Sequence, residues 1–349
     1  MAKTIVIMAG GTGGHVFPAL AVAEYLRARG WTVTWLGTRQ GLESRVIPEK
    51  GFAIDWLPVS GFRGKGVIGK ITAGVRLLSA LWQAFLHLRR RRPDVVLGMG
   101  GFAAGPGGLV ASLLGIPLVI HEQNRIPGTT NRILAKRARF VLQAFPESFK
   151  ANIEAITTGN PLRAGFTAAI PEAYQSGQVL KILVVGGSQG ARRLNEVVPA
   201  GLALLSGIEI WHQTGQHDLD TVMSRYQNLA LTAKVMAFID DMTAAYRWAD
   251  VVVCRAGAMT VSEVAALGVP ALFIPLPNAI DDHQRANAVF LSEQNAARLL
   301  AQQDLTAESL AETLNDMRDQ LPDYARAALS LARPDATEQV AAYCEQAAL

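Results

Sequence analysis

Ile5-Val6-Ile7-Met8-Ala9-Gly10-Gly11-Thr12-Gly13-Gly14 carries a β-branched run into a glycine-rich turn, and Ile182-Leu183-Val184-Val185-Gly186-Gly187-Ser188-Gln189-Gly190 repeats the pattern. Each reads as a strand entering Gly-Gly-hydroxyl-x-Gly and then a helix. A second echo pairs Asp94-Val95-Val96-Leu97 with Asp250-Val251-Val252-Val253. After each comes a helix-like stretch, then Gly-Ile-Pro or Gly-Val-Pro, then another apolar run. Two doubly wound domains in tandem account for both echoes.

Outward from these echoes, strand-like and helix-like stretches alternate along the chain. A helix is expected from near Pro18 to Gly30, with Pro in its first turn and Gly just past its end. Strands are expected at Thr4–Met8, Thr32–Leu36, Val95–Leu97, Leu118–Ile120, Ile182–Val185, Ile208–Trp211, Val251–Val253 and Ala271–Ile274. Such alternation predicts α/β architecture with parallel sheets covered by helices. Ligands of such sheets bind beyond the carboxyl ends of the strands. Two facing domains would therefore hold their ligands in a central cleft. The boundary is expected near Asn160 to Arg163, or in the polar stretch Pro171 to Gln178.

Composition agrees. A chain of 349 residues exceeds one typical hydrophobic core, and 50% hydrophobic with 18% charged residues excludes a disordered polymer. Cys254 and Cys344 permit one bridge at most, so a reducing cytoplasm is the expected compartment. A net charge of +4 suits an anionic partner or a basic surface without one. The stretch Val95 to Ile120 has no charge and is long enough to span a bilayer. Its nine glycines and prolines make it a strand, a turn, a short helix and a second strand instead. No secretory signal is expected at the N-terminus.

The loop Gly10 to His15 has the makings of a phosphate cradle, since glycines admit close backbone approach and a helix N-terminus offers N–H groups. It departs from the dinucleotide fingerprint. Val16 stands where a third glycine belongs, and Gly37-Thr38-Arg39 after the second strand offers no ribose-binding acid. Nicotinamide cofactors are disfavoured, with an NADP mode through Arg39 the remaining route. His15 follows the glycines and could be a general base or could hydrogen-bond its own loop. Glu263 is a solvated acid if it lies two turns into its helix, or faces a ligand if Thr260 caps that helix. Asp218-Leu219-Asp220 could hold a metal ion but reads as ordinary helix capping. Asp281-Asp282 reads as a hydrogen-bonding loop.

Six motifs, in order, resemble one family. They are Gly10 to Pro18, Gly98-Met99-Gly100-Gly101, His121-Glu122-Gln123-Asn124, Gly159-Asn160-Pro161-Leu162-Arg163, Gly186 to Ala191, and Cys254 to Glu263. The set is similar to the MurG family of peptidoglycan N-acetylglucosaminyltransferases, glycosyltransferase family 28, over essentially the whole chain. The resemblance implies the GT-B fold, two Rossmann-like doubly wound parallel-sheet domains facing a central cleft. It implies a hexosyltransferase that moves GlcNAc from UDP-GlcNAc to the C4 hydroxyl of MurNAc in undecaprenyl-pyrophosphoryl-MurNAc-pentapeptide, lipid I to lipid II, with inversion. No metal and no cofactor are expected. A UDP-GlcNAc epimerase of the same architecture and a non-catalytic UDP-sugar-binding protein are the alternatives.

The resemblance also assigns residues. Residues 1–160 would bind the lipid acceptor and associate with the membrane, residues 161–335 would bind UDP-GlcNAc, and a C-terminal helix at about 336–349 would return to the first domain. His15 matches the acceptor-side histidine, with Glu122 the next candidate for the catalytic base. Thr12, Gly13 and Gly14 belong to the substrate loop. Asn124 and Arg163 match donor contacts, and Ser188 the phosphate-loop serine. Ile239 would lie beside uracil. Ala258, Met259, Thr260, Val261, Ser262 and Glu263 would hold the nucleotide, Glu263 on the ribose hydroxyls. Gln284 would contact GlcNAc. His283 stands where some members carry a glutamine, and Phe102 where others carry a tyrosine, so no phenol acts there.

An acceptor anchored in lipid implies an approach to the membrane. Ile68, Ile71, Val75, Leu78, Trp82 and Phe85 recur at three- and four-residue steps and form one helical stripe. Lys65, Lys70, Arg76 and Arg89 to Arg92 flank it, with Lys136, Arg137 and Arg139 as further cations. Apolar residues with a tryptophan, bordered by cations, suit acyl chains and anionic headgroups. The expected location is the cytoplasmic face of the inner membrane, as a peripheral protein. The expected partners are UDP-GlcNAc, lipid I, the anionic membrane surface and other cell-wall synthesis proteins, with no nucleic acid.

Overall fold

The computed structural model describes residues 2–59, 67–166, 174–175, 177–186, 191–277 and 282–349, without the side chains of 67–73 and 75. The chain folds as two units, Met1–Ala164 with Asp335–Leu349, and Gly165–Pro334.

The first unit contains β1 (Thr4–Met8), α1 (Gly13–Ala28), β2 (Thr32–Gly37), α2 (Glu43–Glu49), β3 (Ala53–Trp56), α3 (Val67–Arg91) and β4 (Val95–Gly98). There follow α4 (Ala104–Leu113), β5 (Leu118–Glu122), α5 (Thr129–Leu134), β6 (Phe140–Gln143) and β7 (Ala155–Thr157). Their seven strands form one sheet in the order β3-β2-β1-β4-β5-β6-β7, and every pairing is parallel.

The second unit contains β8 (Leu180–Val185), α6 (Arg192–Leu202), β9 (Ile208–Gln213), α7 (Leu219–Asn228), β10 (Ala233–Met236), α8 (Met242–Trp248) and β11 (Val251–Cys254). It continues through α9 (Ala258–Leu267), β12 (Ala271–Phe273), α10 (His283–Ser292), β13 (Arg298–Leu299), α11 (Ala307–Arg318) and α12 (Leu321–Ser330). Its six strands run β10-β9-β8-β11-β12-β13, again all parallel. The last helix, α13 (Ala336–Ala347), packs Val340, Ala341, Cys344 and Ala347 into the first unit's core beside Val16 and Leu20.

Alternation along the strands decides which core each residue feeds. Ile5 and Ile7 of β1 join one face with Trp35 and Leu97. Val6 and Met8 join the other with Val96 and Ile120. Both faces are covered, which is why these runs read as continuously apolar.

The second echo is one structural device used twice. Asp94 accepts a hydrogen bond from Thr4 N at 2.7 Å, and Asp250 accepts one from Lys181 N at 2.8 Å. In each unit the aspartate opening the fourth strand thereby pins the start of the first. The Val95 to Ile120 stretch is β4, a glycine turn, α4 and β5. Among the described residues no helix is long and apolar enough to cross a membrane.

One helix boundary differs from expectation. α1 starts at Gly13 rather than near Pro18, so Pro18 lies inside the helix. The glycine loop runs straight into the first turn, and proline's missing N–H costs only the bond to the Gly14 carbonyl.

Candidate active site

The loop after β1 is built by close approaches. Thr12 is the N-cap of α1 in extended conformation, and its carbonyl accepts His15 N at 3.1 Å and Val16 N at 3.2 Å. Gly13, Gly14 and His15 therefore form the first turn, where the N–H groups of Gly13 and Gly14 have no partner within the helix. Glu43, fully buried, braces the loop from behind. One carboxylate oxygen accepts Gly11 N at 2.9 Å, and the other accepts Thr38 N at 2.9 Å and Thr38 Oγ1 at 2.7 Å. The loop after β4 lies against it. Gly101 has φ +82°, and a Cβ there would fall 2.3 Å from the Gly10 carbonyl oxygen. A Cβ on Gly100 would fall 2.9 Å from the His15 ring, so the imidazole rests on bare backbone.

His15 is half-buried and joined to the end of β5. Its Nδ1 lies 2.7 Å from Gln123 Oε1. Gln123 Nε2 lies 3.1 Å from His121 Nδ1 and donates to the His121 carbonyl at 3.2 Å. His121 Nε2 lies 2.9 Å from the Gly159 carbonyl. Burial pushes the His121 imidazole down to about 4, so it is neutral at physiological pH.

Glu122, also buried, does different work. Oε1 accepts Asn124 N at 2.9 Å and Asn124 Nδ2 at 3.2 Å. Oε2 accepts Gly128 N at 3.0 Å and Asn131 Nδ2 at 2.9 Å. Four donors tie this carboxylate to α5 and the loop that leads into it, and set the position of Asn124. Arg163, at the end of the unit's main segment, stacks its guanidinium 5.1 Å from the Phe17 ring centroid.

In the second unit the expected donor residues cluster around the ends of β10, β11 and β12. Ser188 lies outside the described residues, although Gly186 and Ala191 on either side are described. α9 starts at Ala258 with Gly257 as N-cap, so Thr260 is not the cap and Glu263 lies in the second turn. It is nevertheless half-buried rather than solvated, and Tyr246 Oη donates to its Oε2 at 3.2 Å. Met259, Thr260 and Ser262 are likewise half-buried, while Ala258 and Val261 face the core. Arg255 stands in the sixth motif with no role expected of it. Its Nη1 donates to the Ile274 carbonyl at 2.9 Å and the Pro275 carbonyl at 3.2 Å, and its Nη2 to Gln302 Oε1 at 2.7 Å. It thus fixes the segment after β12. Burial lowers its guanidinium to about 10, still cationic at neutral pH. Gln284, in the first turn of α10, accepts Leu276 N through Oε1 at 3.0 Å from the same segment. Ile239 has its side chain buried, and its backbone N–H donates to Gln213 Oε1 at 2.9 Å.

Asp218 stands at the N-cap position of α7, but its side chain makes no capping hydrogen bond to that helix and instead accepts Asn195 Nδ2 at 2.7 Å, while Asp220 stands in the helix's first turn. Asp281 lies outside the described residues. Among the described residues no three His, Cys, Asp or Glu side chains gather to hold a metal ion.

The apolar stripe falls on α3. Leu78 and Trp82 are 68% and 62% exposed, and Leu86 is exposed beside them. Phe85 is half-buried, stacked on Trp82 at 5.5 Å and packed on the core. The side chains of Ile68, Ile71, Val75 and Lys70 lie outside the described residues, as does Lys65. Two of the expected flanking cations have another task. Arg90 and Arg91 both pair with Asp55, at 3.0 and 2.8 Å. Burial would raise the Asp55 carboxyl, but the Arg91 hydrogen bond and the nearby positive charges outweigh it and hold it low.

Parallel sheets ordered 3-2-1-4-5-6-7 and 3-2-1-4-5-6, with a glycine loop and a buttressed histidine after the first strand of the first, define a protein of two Rossmann-like domains. The comparisons with known proteins make that specific. Residues 5–143 match the Glycosyltransferase family 28 N-terminal domain and residues 181–340 the family's C-terminal domain. The chain belongs to glycosyltransferase family 28. It is 56% identical, over 99% of its length and 98% of the relative's, to the UDP-N-acetylglucosamine--N-acetylmuramyl-(pentapeptide) pyrophosphoryl-undecaprenol N-acetylglucosamine transferase of Methylococcus capsulatus. The protein of that name from Cupriavidus necator is 52% identical, with 99% and 98% covered. Among solved structures, Acinetobacter baumannii MurG matches with a TM-score of 0.85 and 40% identity, over 99% of both chains.

Proposed function

We propose that this chain transfers GlcNAc from UDP-GlcNAc to lipid I, the undecaprenyl-pyrophosphoryl-MurNAc-pentapeptide, giving lipid II for peptidoglycan. The observation that carries the reading is the full-length match to relatives named for this transfer, together with a histidine placed at a helix N-terminus on the first glycine loop. These relatives are named as transferases, and the epimerase alternative gains no support from them.

In this reading the first unit receives the acceptor and the second the donor. His15 accepts the proton of the MurNAc C4 hydroxyl as that oxygen attacks the anomeric carbon of GlcNAc, and UDP departs from the opposite face with inversion. General-base help of this kind contributes ~10²–10⁴-fold. Thr12, Gly13 and Gly14 present main-chain groups to the substrate. Residues 186–190, with Ser188, receive the diphosphate, whose charge is stabilised by N–H donors and helix dipoles without a metal. Glu263, held by Tyr246, takes the ribose hydroxyls. Gln284 and the segment that Arg255 fixes take the GlcNAc. The loop of Ile239 takes uracil, through its backbone because the side chain is buried. Asn124 and Arg163 complete the donor contacts. Glu122, its carboxylate occupied by four donors, orders the Asn124 loop and ranks behind His15 as base.

The exposed apolar face of α3 rests on the anionic cytoplasmic surface of the inner membrane, with Leu78, Trp82 and Leu86 at the acyl boundary and Arg76 and Arg89 at the headgroups. The enzyme is peripheral, and its neighbours there include other cell-wall synthesis proteins.

The test of the transfer is the product. Incubation of purified enzyme with UDP-GlcNAc and a lipid I analogue should yield a disaccharide whose new linkage is β by NMR. An α linkage, or conversion of UDP-GlcNAc into an epimer, would overturn the assignment.

A further inference from the structure

We propose that Gln123 is a positioning residue that fixes His15 in the tautomer with the proton on Nδ1 and the lone pair on Nε2. The inference deepens the general-base reading of His15, and its catalytic consequence rests on that reading.

The hydrogen-bond directions follow from two main-chain carbonyls, which can only accept. Gly159 O lies 2.9 Å from His121 Nε2, so that nitrogen carries a proton. His121 is fully buried and neutral, so its Nδ1 is left with a lone pair. The His121 carbonyl lies 3.2 Å from Gln123 Nε2, and this fixes the amide orientation independently of either ring. A flipped amide would set its oxygen against that carbonyl and against the His121 lone pair. With the NH2 group facing His121, Gln123 Oε1 faces His15 Nδ1 at 2.7 Å and can only accept. His15 Nδ1 must therefore donate, and its Nε2 is left basic.

The chain of hydrogen bonds is anchored at its buried end. Gln123 is fully buried, and Asn160 Nδ2 donates to its carbonyl at 3.1 Å. Gly100 closes the other side of the His15 ring, where any Cβ would collide with it. A hydroxyl proton reaching this imidazole thus meets a ring already in the accepting tautomer, with no proton to relocate first.

The direct test is ¹⁵N NMR of the full-length protein labelled at histidine, at mildly alkaline pH, with His15→Ala and His121→Asn used to assign signals. The wild type should show His15 with a protonated Nδ1 and a bare Nε2, and His121 with the opposite pattern. Gln123→Leu removes the acceptor. It should move His15 toward the Nε2-protonated form and lower kcat by about 10- to 100-fold, with KM for UDP-GlcNAc unchanged, since a mis-set tautomer is costly to general-base catalysis. Gln123→Glu restores an acceptor, and His15 should return to the Nδ1-protonated form. Wild-type His15 protonated on Nε2, or an unchanged His15 tautomer in Gln123→Leu, overturns the proposal even if the glutamate variant does not fold. If the tautomers behave as stated but His15→Ala loses less than tenfold in kcat, the base reading fails while the positioning of His15 by Gln123 stands.

Discussion

Each unit of this transferase buries a neutral histidine near the carboxyl end of a strand, and the two are wired differently. His121 at the end of β5 leads outward, through Gln123, to the half-buried ring of His15. His212 near the end of β9 leads nowhere. Its ring lies 2.9 Å from Tyr226 Oη and 3.1 Å from Asn195 Oδ1, and Asn195 turns back to the Thr214 carbonyl and Asp218. Both rings are desolvated, and burial lowers them to about 4 and about 3. Burial with a depressed pKa is therefore a poor guide to chemistry here. What separates the two is whether the hydrogen-bond chain ends on a group that can meet substrate.

The largest expected effect tests that distinction. His15→Ala should lower kcat by ~10²–10⁴-fold with donor affinity nearly intact, measured by steady-state kinetics and calorimetry. A loss below about tenfold would make the first unit's chain as structural as the second's.

What the two histidines share should appear in stability. Unfolded, each takes a proton below its ordinary pKa of about 6.5. Folded, each resists until about 4 or about 3. The unfolded chain thus binds more protons between these values. Stability is full above pH ~6.5 and falls as the pH drops below it, each ring costing roughly 1 kcal/mol per pH unit until its folded pKa is reached. Denaturant unfolding followed across that window should show the decline, and a flat or rising profile would contradict the burial of neutral rings.

Much of this comparison was legible in the sequence and part was not. The two glycine turns and the paired aspartates announced two like units, because local patterns repeat in their backbone environment. Pro18 misled, since its preference for a first turn outweighed the glycines that open α1. The short strands β3, β6, β7, β10 and β13 carried too few residues to show a period. Glu43 gave no signal because its partner Gly11 N is 32 residues away. Gln123 stands within a motif yet shows no role there, because the ring it orients lies 108 residues earlier. Glu263 reads as a solvated acid if its helix begins early. The helix does begin early, and a tyrosine 17 residues upstream partners it all the same.

The donor side should respond more mildly than the histidine. Glu263→Ala should weaken UDP-GlcNAc by about 1–3 kcal/mol in calorimetry, since Tyr246 Oη and the ribose hydroxyls both lose their acceptor. Unchanged affinity would remove Glu263 from the donor site. The surface of α3 should be more tolerant still. Trp82→Ser with Arg76→Glu should reduce sedimentation with anionic vesicles, each cation near such a surface being worth about 1 kcal/mol. Binding indifferent to both lipid charge and these substitutions would contradict membrane contact through α3. The smallest expected effect is none: EDTA should leave turnover unchanged, and activity lost to EDTA and restored by Mn²⁺ would bring Asp218 and Asp220 back as ligands.

Acceptor-dependent transfer is tested most directly by UDP release from UDP-GlcNAc by the purified enzyme, with and without a lipid I analogue. Release should depend on the acceptor and match the GlcNAc transferred, mole for mole. UDP released at the same rate without acceptor, or none released with it, would contradict the transfer.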